Sequence, residues 1–350
     1  MGNRNNELIK VGITIGDING IGPEVIIKAL SAPEIFATSI PIIYGSAKVL
    51  SYYKKLLDVE FNFLTVNNAS EAKPKKINVI NCWNEEVNIA VGEKNENGGK
   101  YALLALEQAT KDLVAGNIQT LVTAPINKDC VRDAGFEFPG HTEYLAHQSK
   151  ADDVLMFMIS NGLRVGVVTG HIPLKDVSKH ITPEAIENKL NLMLRSLKHD
   201  FLITKPRIAV LGLNPHAGDR GTLGSEEIDI INPVIQKFRE RGELIYGSYS
   251  SDGFFGSSNL KHFDAILAMY HDQGLVGFKS ISFDEGVNFT AGLPIVRTSP
   301  DHGTAYDIAG RNKASERSFR NSYFAACDIY RNRKSFEEMN ANPLEKQKTK

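Results

Sequence analysis

Three of the nine histidines stand directly after short apolar segments that are typical of buried strands. His171 ends "RVGVVTGH", His216 ends "IAVLGLNPH" and His271 ends "AILAMYH". The carboxyl ends of parallel strands share one edge of a sheet, so these imidazoles can converge despite their separation in sequence. Neutral imidazole binds Zn, Co, Ni and Fe, and three protein ligands with an open position are typical of a catalytic metal. A single such histidine is more often a surface or capping residue, so the prediction depends on all three.

Two acidic residues accompany these histidines. Asp272 follows His271, and Asp252 lies in "SSDGFFG". A carboxylate in either position can accept a hydrogen bond from a ligating imidazole and fix its tautomer, although both residues suit a turn equally well.

A second group of residues carries cationic, amide or hydroxyl donors. It comprises Lys279, Asn288 in "GVNFTAGLP", Arg297 in "PIVRTS", and the pair His141 and Thr142 in "GHT". Such donors suit a phosphate monoester. The formal net charge is −1, so this patch is local and no overall field attracts nucleic acid or an anionic membrane.

No G-x-G-x-x-G fingerprint connects the first strand to its helix. The segment "GDINGIGPE" (16–24) has two interpretations: backbone N–H groups presented to a ligand, or a tight strand-to-helix turn. The segment "DHGTAYDIAGRNKA" (301–314) clusters Gly, His and Asp residues, but its chemistry alone does not indicate a nucleotide.

Strand-like runs alternate with helical patterns along the chain, which predicts an α/β fold with a mostly parallel sheet. Predicted strands cover 11–16, 40–45, 76–81, 119–125, 163–171, 207–216, 263–271 and 293–299. Predicted helices cover 22–30, 46–57, 98–115, 183–197, 226–241 and 314–332, with a loop at 84–100 and a frayed polar tail from 334. A chain of 350 residues suffices for two lobes.

Composition places the chain among ordinary globular proteins, with 42% hydrophobic and 23% charged residues. No apolar run reaches the length of a membrane span, and the first residues lack the apolar region of a secretory leader. Cys82, Cys130 and Cys327 show neither metal spacing nor a disulfide framework, which predicts a reducing cytoplasm.

Seven motifs occur in order: "GDINGIGPE", "TAPINK", "GHTEYLA", "TGHIPL", "LNPHAGD", "YHDQG" and "GVNFTAGLPIVRTSPDHGTAYDIAG". Together they resemble the 4-hydroxythreonine-4-phosphate dehydrogenase family of vitamin B6 biosynthesis, from about residue 10 to residue 330. The segment "HGTAYDIAG" is also similar to the adenosine-binding loop of isocitrate and isopropylmalate dehydrogenases. That likeness would explain an NAD enzyme without a Rossmann fingerprint.

The resemblance implies a reaction and an architecture. NAD(P) would oxidise 4-phosphooxy-L-threonine to 2-amino-3-oxo-4-phosphooxybutanoate, which decarboxylates to 3-amino-2-oxopropyl phosphate on the route to pyridoxal 5'-phosphate. The fold would have two α/β/α lobes like isocitrate and isopropylmalate dehydrogenases, with a cleft between them. Residues 1–130 plus 298–350 would form the lobe with the cofactor loop. Residues 131–297 would carry the metal site, the substrate site and the interface of a homodimer that shares its metal site.

The resemblance also implies roles for individual residues. The metal ligands would be His171, His216 and His271, holding Zn, Co or Mg. The substrate-binding residues would be His141, Thr142, Lys279, Asn288 and Arg297. The loop for NAD or NADP would include His302, Gly303, Thr304, Ala305 and Asp307. The catalytic proton acceptor would be one of Asp252, Asp272 and Lys279.

Departures from the family pattern leave some points open. The family usually has a Lys-Gly pair after "DIAG", where this chain has Arg311 and Asn312, so NAD and NADP both remain candidates. A paralogue acting on 4-phospho-D-threonate or 4-phospho-D-erythronate would use the same residues. A three-histidine zinc hydrolase and a non-enzymatic phosphate-binding module are alternatives of a different class.

Overall fold

A computed structural model describes residues 8–342, and the strands of that part of the chain form one twelve-stranded sheet. In chain order the strands are β1 Ile9–Thr14, β2 Ser39–Gly45, β3 Phe63–Val66, β4 Ile77–Asn81, β5 Thr120–Thr123, β6 Leu155–Ser160, β7 Leu163–Thr169, β8 Arg207–Leu211, β9 Leu244–Tyr249, β10 Ala265–Tyr270, β11 Val287–Ala291 and β12 Val296–Pro300. Their order across the sheet is β3-β4-β2-β1-β5-β12-β11-β6-β7-β10-β8-β9.

Helices connect most of these strands. They are α1 Gly22–Leu30, α2 Ile35–Thr38, α3 Ala47–Leu56, α4 Glu96–Val114, α5 Lys128–Asp133, α6 His141–Ser149, α7 Val177–His180, α8 Pro183–His199, α9 Asn232–Glu240, α10 Ser251–Phe255, α11 His271–Ser282 and α12 Arg317–Asn340. In the described part of the chain, no helix is both long and apolar enough to cross a bilayer.

The strands are buried because helices pack against the sheet. Every residue of β2 is buried, and β1 is buried except at Lys10, which is typical of parallel strands covered on both faces. A smaller cluster packs the face of β7, β8 and β10 against α11, with Val165, Leu211 and Phe278 at its centre. This packing fixes α11, and with it His271, against the strands that precede the predicted metal ligands.

The prediction of an α/β fold with a mostly parallel sheet is confirmed. Neighbouring strands are parallel except for the pairs β6–β7, β6–β11 and β11–β12. Helix α1 has the predicted bounds, and α8 and β7 differ from prediction by two residues at one end. The sequence patterns missed β3, β6, β9 and β11, and β11 carries Asn288 of the predicted anion site.

Several predicted boundaries were wrong, and the strand predicted for 207–216 ends at Leu211. Helix α12 continues to Asn340, so residues 334–340 are helical where fraying was predicted, and residues 343–350 of that tail lie outside the described residues. Arg333 holds this end by an ion pair of 2.6 Å with the buried Asp200, and Phe336 stacks on His199 with ring centroids 3.9 Å apart. Helix α4 begins at Glu96, inside the predicted loop, because the Asn95 side chain accepts a hydrogen bond from an N–H of the first turn.

The strands sort along the sheet by the segments assigned to the two lobes. The run from β3 to β12 comes from the first assigned lobe, apart from two residues at the start of β12, and the run from β11 to β9 comes from 131–297. The division into two lobes and the boundaries near 130 and 298 remain predictions.

Candidate active site

Two of the three predicted metal ligands lie side by side. His171 follows β7 by two residues, and His271 is the first residue of α11, directly after β10. Strands β7 and β10 are parallel neighbours with Thr169 opposite Tyr270, so the segments that follow the two strands leave the sheet at the same level. The two imidazole centroids are 5.3 Å apart. The arrangement brings two nitrogen ligands to one sheet edge, as the strand-end pattern predicted.

The surroundings of this pair fit a bound metal ion. Nδ1 of His271 lies 2.7 Å from a carboxylate oxygen of Asp272, which leaves Nε2 as the ring nitrogen for a ligand. Burial lowers the pKa of His171, and the charges of Lys128 and His271 lower it further. A lowered pKa favours the neutral imidazole, which is the form that binds metal.

His216 takes a different position. Strand β8 neighbours β10, but His216 comes five residues after its end, in the turn Pro215–Gly221, with φ of 53°. The buried Glu227 anchors this turn by accepting 2.7 Å hydrogen bonds from the N–H groups of Leu213 and Asn214. The charge of His216 is one of the smaller causes that lower the pKa of Asp252; a hydrogen bond from Ser250 is the largest.

Within residues 8–342, no three His, Cys, Asp or Glu side chains are grouped so that one ion could be held by all of them. The expectation that the sheet edge of a single chain gathers all three histidines is therefore corrected. The chain brings His171 and His271 together, and His216 does not complete a three-ligand group with them. A metal site completed by a second subunit remains a prediction.

The predicted substrate-binding residues surround a buried guanidinium. Arg297 on β12 is only 3% exposed and donates hydrogen bonds to the hydroxyls of Thr123 (2.6 Å) and Thr290 (3.2 Å). Its terminal nitrogen lies 3.3 Å from Nδ1 of His141. Burial lowers the pKa of Arg297 to about 10. No ion pair to Arg297 occurs within the described residues, so its charge is available to an anion.

Of the eight buried side-chain N or O atoms without a partner in residues 8–342, four belong to predicted site residues or to the adjacent Asp301. Nε2 of His141, Oδ1 of Asn288, Oδ2 of Asp301 and Nε2 of His302 are buried without a hydrogen-bond partner. Buried polar groups in folded proteins nearly always have partners, since an unsatisfied one costs about 1–3 kcal/mol. Three of these four residues were predicted from sequence as substrate or cofactor contacts, and Asp301 directly precedes His302. The cluster therefore supports a binding site for a polar ligand.

The predicted cofactor loop starts at the same cluster. Lys279 on α11 forms an ion pair of 3.3 Å with Asp301, and burial lowers the pKa of the neighbouring His302. Further along the loop, the carbonyl of Thr304 accepts a hydrogen bond of 2.9 Å from Ile21. The Tyr306 hydroxyl donates a 2.6 Å hydrogen bond to the buried Asp17.

The segment 16–24 is a strand-to-helix turn that supports this loop. The N–H groups of Asp17, Gly20 and Ile21 bond to carbonyls of Pro125, Asp17 and Thr304. A β-carbon at Gly20 would lie 2.8 Å from the Thr304 carbonyl oxygen, so only glycine permits this close approach. Of the two interpretations offered by the sequence, the structure favours the turn, because these N–H groups already have partners.

Comparison with known proteins identifies the family. The family model described as "Pyridoxal phosphate biosynthetic protein PdxA" matches residues 37–326. A 4-hydroxythreonine-4-phosphate dehydrogenase of Bacteroides thetaiotaomicron is 51% identical over 97% of this chain and 93% of its own length. The chain belongs to the PdxA family.

Relatives and solved structures within the PdxA family agree along the whole length. The 4-hydroxythreonine-4-phosphate dehydrogenase of Aquifex aeolicus is 44% identical over 88% of this chain and 94% of its own. The crystal structure of the enzyme of that name from Klebsiella pneumoniae has a TM-score of 0.81 at 35% identity, covering 93% of this chain and 99% of that chain. The described fold is therefore that of the PdxA family.

Some predicted residues have no distinctive contact. Thr142 lies in the first turn of α6, Gly303 lies in the loop, and the exposed Asp307 lies in the 3₁₀ turn Tyr306–Ile308. Ala305 has a left-handed backbone with φ of 41° and precedes that turn.

Three charged residues at the site escaped the sequence interpretation. Lys128 directly follows the "TAPIN" run after β5, and its charge lowers the pKa of both His141 and His171. Glu143 follows His141 on α6, and its charge opposes the burial effect on Arg297. Asp301 follows β12 directly. The strand-end rule that selected the histidines applies to Lys128 and Asp301 as well.

The buried His141 generates a prediction about pH. Burial, with the charges of Arg297 and Lys128, holds its pKa well below the ordinary value, so the unfolded chain binds this proton more readily. Stability contributed by the neutral imidazole is present above about pH 6.5 and is lost as the pH falls below it, by at most about 1.4 kcal/mol per pH unit. In His141→Gln, the free energy of unfolding from urea titrations should therefore depend less steeply on pH between 5 and 6.5. Thr142→Ser, which disturbs the same helix start without removing a titratable group, should keep the wild-type slope. An unchanged slope in His141→Gln would contradict the burial of a neutral imidazole.

Proposed function

We propose that this chain is a 4-hydroxythreonine-4-phosphate dehydrogenase in pyridoxal 5'-phosphate biosynthesis. It oxidises 4-phosphooxy-L-threonine with NAD or NADP to 2-amino-3-oxo-4-phosphooxybutanoate, which decarboxylates to 3-amino-2-oxopropyl phosphate. The proposal rests on the buried Arg297, which contacts His141 and forms no ion pair within the described residues, and on the His171–His271 pair, in a chain whose relatives bear that enzyme's name.

Substrate binding depends on the groups around Arg297. Arg297, His141 and Asn288 lie in or beside the buried region, and Lys279 and Thr142 lie on helices at its border. An anionic substrate can accept hydrogen bonds from the guanidinium of Arg297 and from Nε2–H of His141, whose Nδ1 faces the Arg297 donor, so its binding is directional. Binding of the phosphoryl end, remote from C3, can then orient the reacting carbon.

The residues present also fit a divalent cation and a nicotinamide. His171 and His271 would hold the cation, with His216 of a second copy as third ligand, and imidazoles favour Zn or Co over Mg. The loop from His302 through Gly303, Thr304 and Ala305 to Asp307 would hold the dinucleotide, and the orphaned Nε2 of His302 supports a ligand there. When bound, the dinucleotide would supply the hydride acceptor for C3, and the cation held by the histidines would supply stabilisation of negative charge on the C3 oxygen.

Asp272, Asp252 and Lys279 have separate roles in the proposed reaction. Asp272 accepts from Nδ1 of His271 and keeps Nε2 directed at the ligand. Asp252 is a candidate acceptor for the hydroxyl proton, and the Ser250 hydrogen bond that lowers its pKa keeps it ionised but makes it a weaker base. Lys279 is placed between the histidine pair and the cofactor loop, where it binds the anionic substrate.

Exposed apolar side chains on segments that carry or follow the histidines support an interface with a second copy of the chain. Val276 and Phe283, on and just after α11, are 65% and 75% exposed, and Leu174, three residues beyond His171, is 74% exposed. Exposed large apolar side chains grouped at one place are typical of an interface. We infer a homodimer that buries this surface and completes each metal site with His216 of the other chain. The three free thiols support a reducing cytoplasm as the cellular location of the protein.

The substrate assay is direct. Purified protein with NAD or NADP and a divalent cation should produce NAD(P)H absorbance from 4-phosphooxy-L-threonine, and a chelator should abolish it. The matched analogue is 4-phospho-D-threonate, which carries a hydroxyl in place of the amino group. Turnover of the analogue alone would assign the paralogous activity, and no NAD(P)H from either substrate would reject the dehydrogenase. The relatives found give no support to the hydrolase alternative.

Mixing inactive variants tests the shared metal site. If His171 and His271 come from one chain and His216 from the other, a mixture of refolded His171→Ala and His216→Ala contains heterodimers with one intact site. An equal mixture should then regain about a quarter of wild-type activity by symmetry. The matched mixture of His171→Ala with His271→Ala should stay inactive, because these residues act from the same chain. Recovery in the second mixture, or in neither, would contradict the arrangement.

A further inference from the structure

A buried carboxylate joins the substrate and cofactor regions. Asp301 is the first residue after β12, directly before His302, and its side chain is 10% exposed. Neither the sequence patterns nor the proposed mechanism gives it a task. Buried carboxylates are rare unless they are paired, so its partners indicate what it does.

The position of Asp301 is fixed from two sides. Its N–H donates a 3.0 Å hydrogen bond to the hydroxyl of Ser318 on α12. That hydroxyl donates in turn to the carbonyl of Gly286 at 2.6 Å, and Ser318 is 4% exposed. The carboxylate packs over Gly286, where an added β-carbon would lie 3.2 Å from Oδ2. Both the backbone and the side chain of Asp301 are therefore held in one place.

Two oxygens of Asp301 engage the ammonium group of Lys279. Nζ of Lys279 lies 3.3 Å from Oδ1 and donates a 3.4 Å hydrogen bond to the backbone carbonyl. Lys279 sits in the last turn of α11, whose first residue is His271, and its side chain is 38% exposed. A lysine on a flexible stem loses much rotamer freedom when it grips a ligand, unless another group has already restricted it.

The ion pair also compensates the charge of Asp301. Oδ2 of Asp301 is buried without a partner, and burial raises the pKa of this carboxyl while the charge of Lys279 lowers it. The carboxylate therefore depends on Lys279 for compensation of its charge. The Asp301 side chain is only 10% exposed, so solvent screens its Oδ1–Nζ contact less than it would screen an exposed ion pair.

We propose that Asp301 is a positioning residue that holds the Lys279 ammonium ready for the phosphoryl group of the substrate, next to the cofactor loop. The inference rests on the proposed function for the identity of the substrate. It goes beyond that function in assigning a task to Asp301 that acts through Lys279 alone.

A double-mutant cycle tests this coupling. The dissociation constant of 4-phosphooxy-L-threonine is measured by calorimetry without NAD(P), together with kcat and KM, for Asp301→Asn, Lys279→Ala and the double variant. Asp301→Asn should weaken substrate binding about 10-fold, within the range of couplings between contacting residues, and leave the KM for NAD(P) unchanged. The double variant should bind no more weakly than Lys279→Ala. Multiplying losses, unchanged binding in Asp301→Asn, or tighter binding caused by removal of a repelling charge would overturn the proposal.

Two controls separate the possible failures. Glu187→Gln removes a carboxylate from the 2.6 Å ion pair with Lys237 between α8 and α9, neither of which carries a predicted site residue, and should leave substrate binding unchanged. If the wild type forms no NAD(P)H but binds inorganic phosphate, the same cycle is measured with phosphate, and only the proposed function falls. If the wild type binds neither ligand, Lys279 grips no phosphoryl group and both proposals fall.

Discussion

The parallel register of β7 and β10 is the constraint on which the candidate site depends. It sets Thr169 opposite Tyr270, so the two segments that carry His171 and His271 leave the sheet at the same level. Packing of Phe278 into the cluster beneath α11 then fixes the start of that helix. A shift of register by one residue would send alternate side chains to opposite faces, and the two imidazoles would no longer face each other.

The chemistry of the site follows from an imbalance of charge that the fold maintains. Arg297 is buried with hydroxyl and imidazole neighbours in place of a carboxylate, and His141 is kept neutral beside it. Such an arrangement lowers stability in the free protein, since polar groups lie buried without partners. The proposed anionic substrate would accept hydrogen bonds from Arg297 and His141, so part of the folding free energy given up here would return as binding energy.

Sequence patterns predicted well the parallel strands that precede His171 and His271. Runs such as "VGVVT" before His171 and "AILAMY" before His271 are continuous, β-rich and followed by polar residues, which is typical of buried parallel strands that end at a ligand edge. The antiparallel strands β6 and β11 escaped because no crossover helix separates them from their neighbours in the usual alternation. "LMFMIS" and "VNFTA" are too short to be distinguished from loop or helix by period alone.

The remaining features depend on long-range contacts that no local pattern reports. His216 looks like the other two histidines in sequence, yet it lies five residues beyond its strand, in a left-handed turn next to segments anchored by Glu227. Asp301 resembles an ordinary loop aspartate until Ser318 and Gly286 bury it against Lys279. The end of α12 is polar in sequence but is held by Asp200, which lies 133 positions earlier.

The most direct test of the account is anomalous diffraction at the zinc edge from crystals grown with Zn²⁺. The account predicts a peak about 2.0–2.1 Å from one ring nitrogen of His171 and one of His271 in the same chain. It further predicts that the third imidazole is His216 of a neighbouring copy related by a two-fold axis. A peak that contacts neither His171 nor His271, or no peak at that sheet edge, would contradict it.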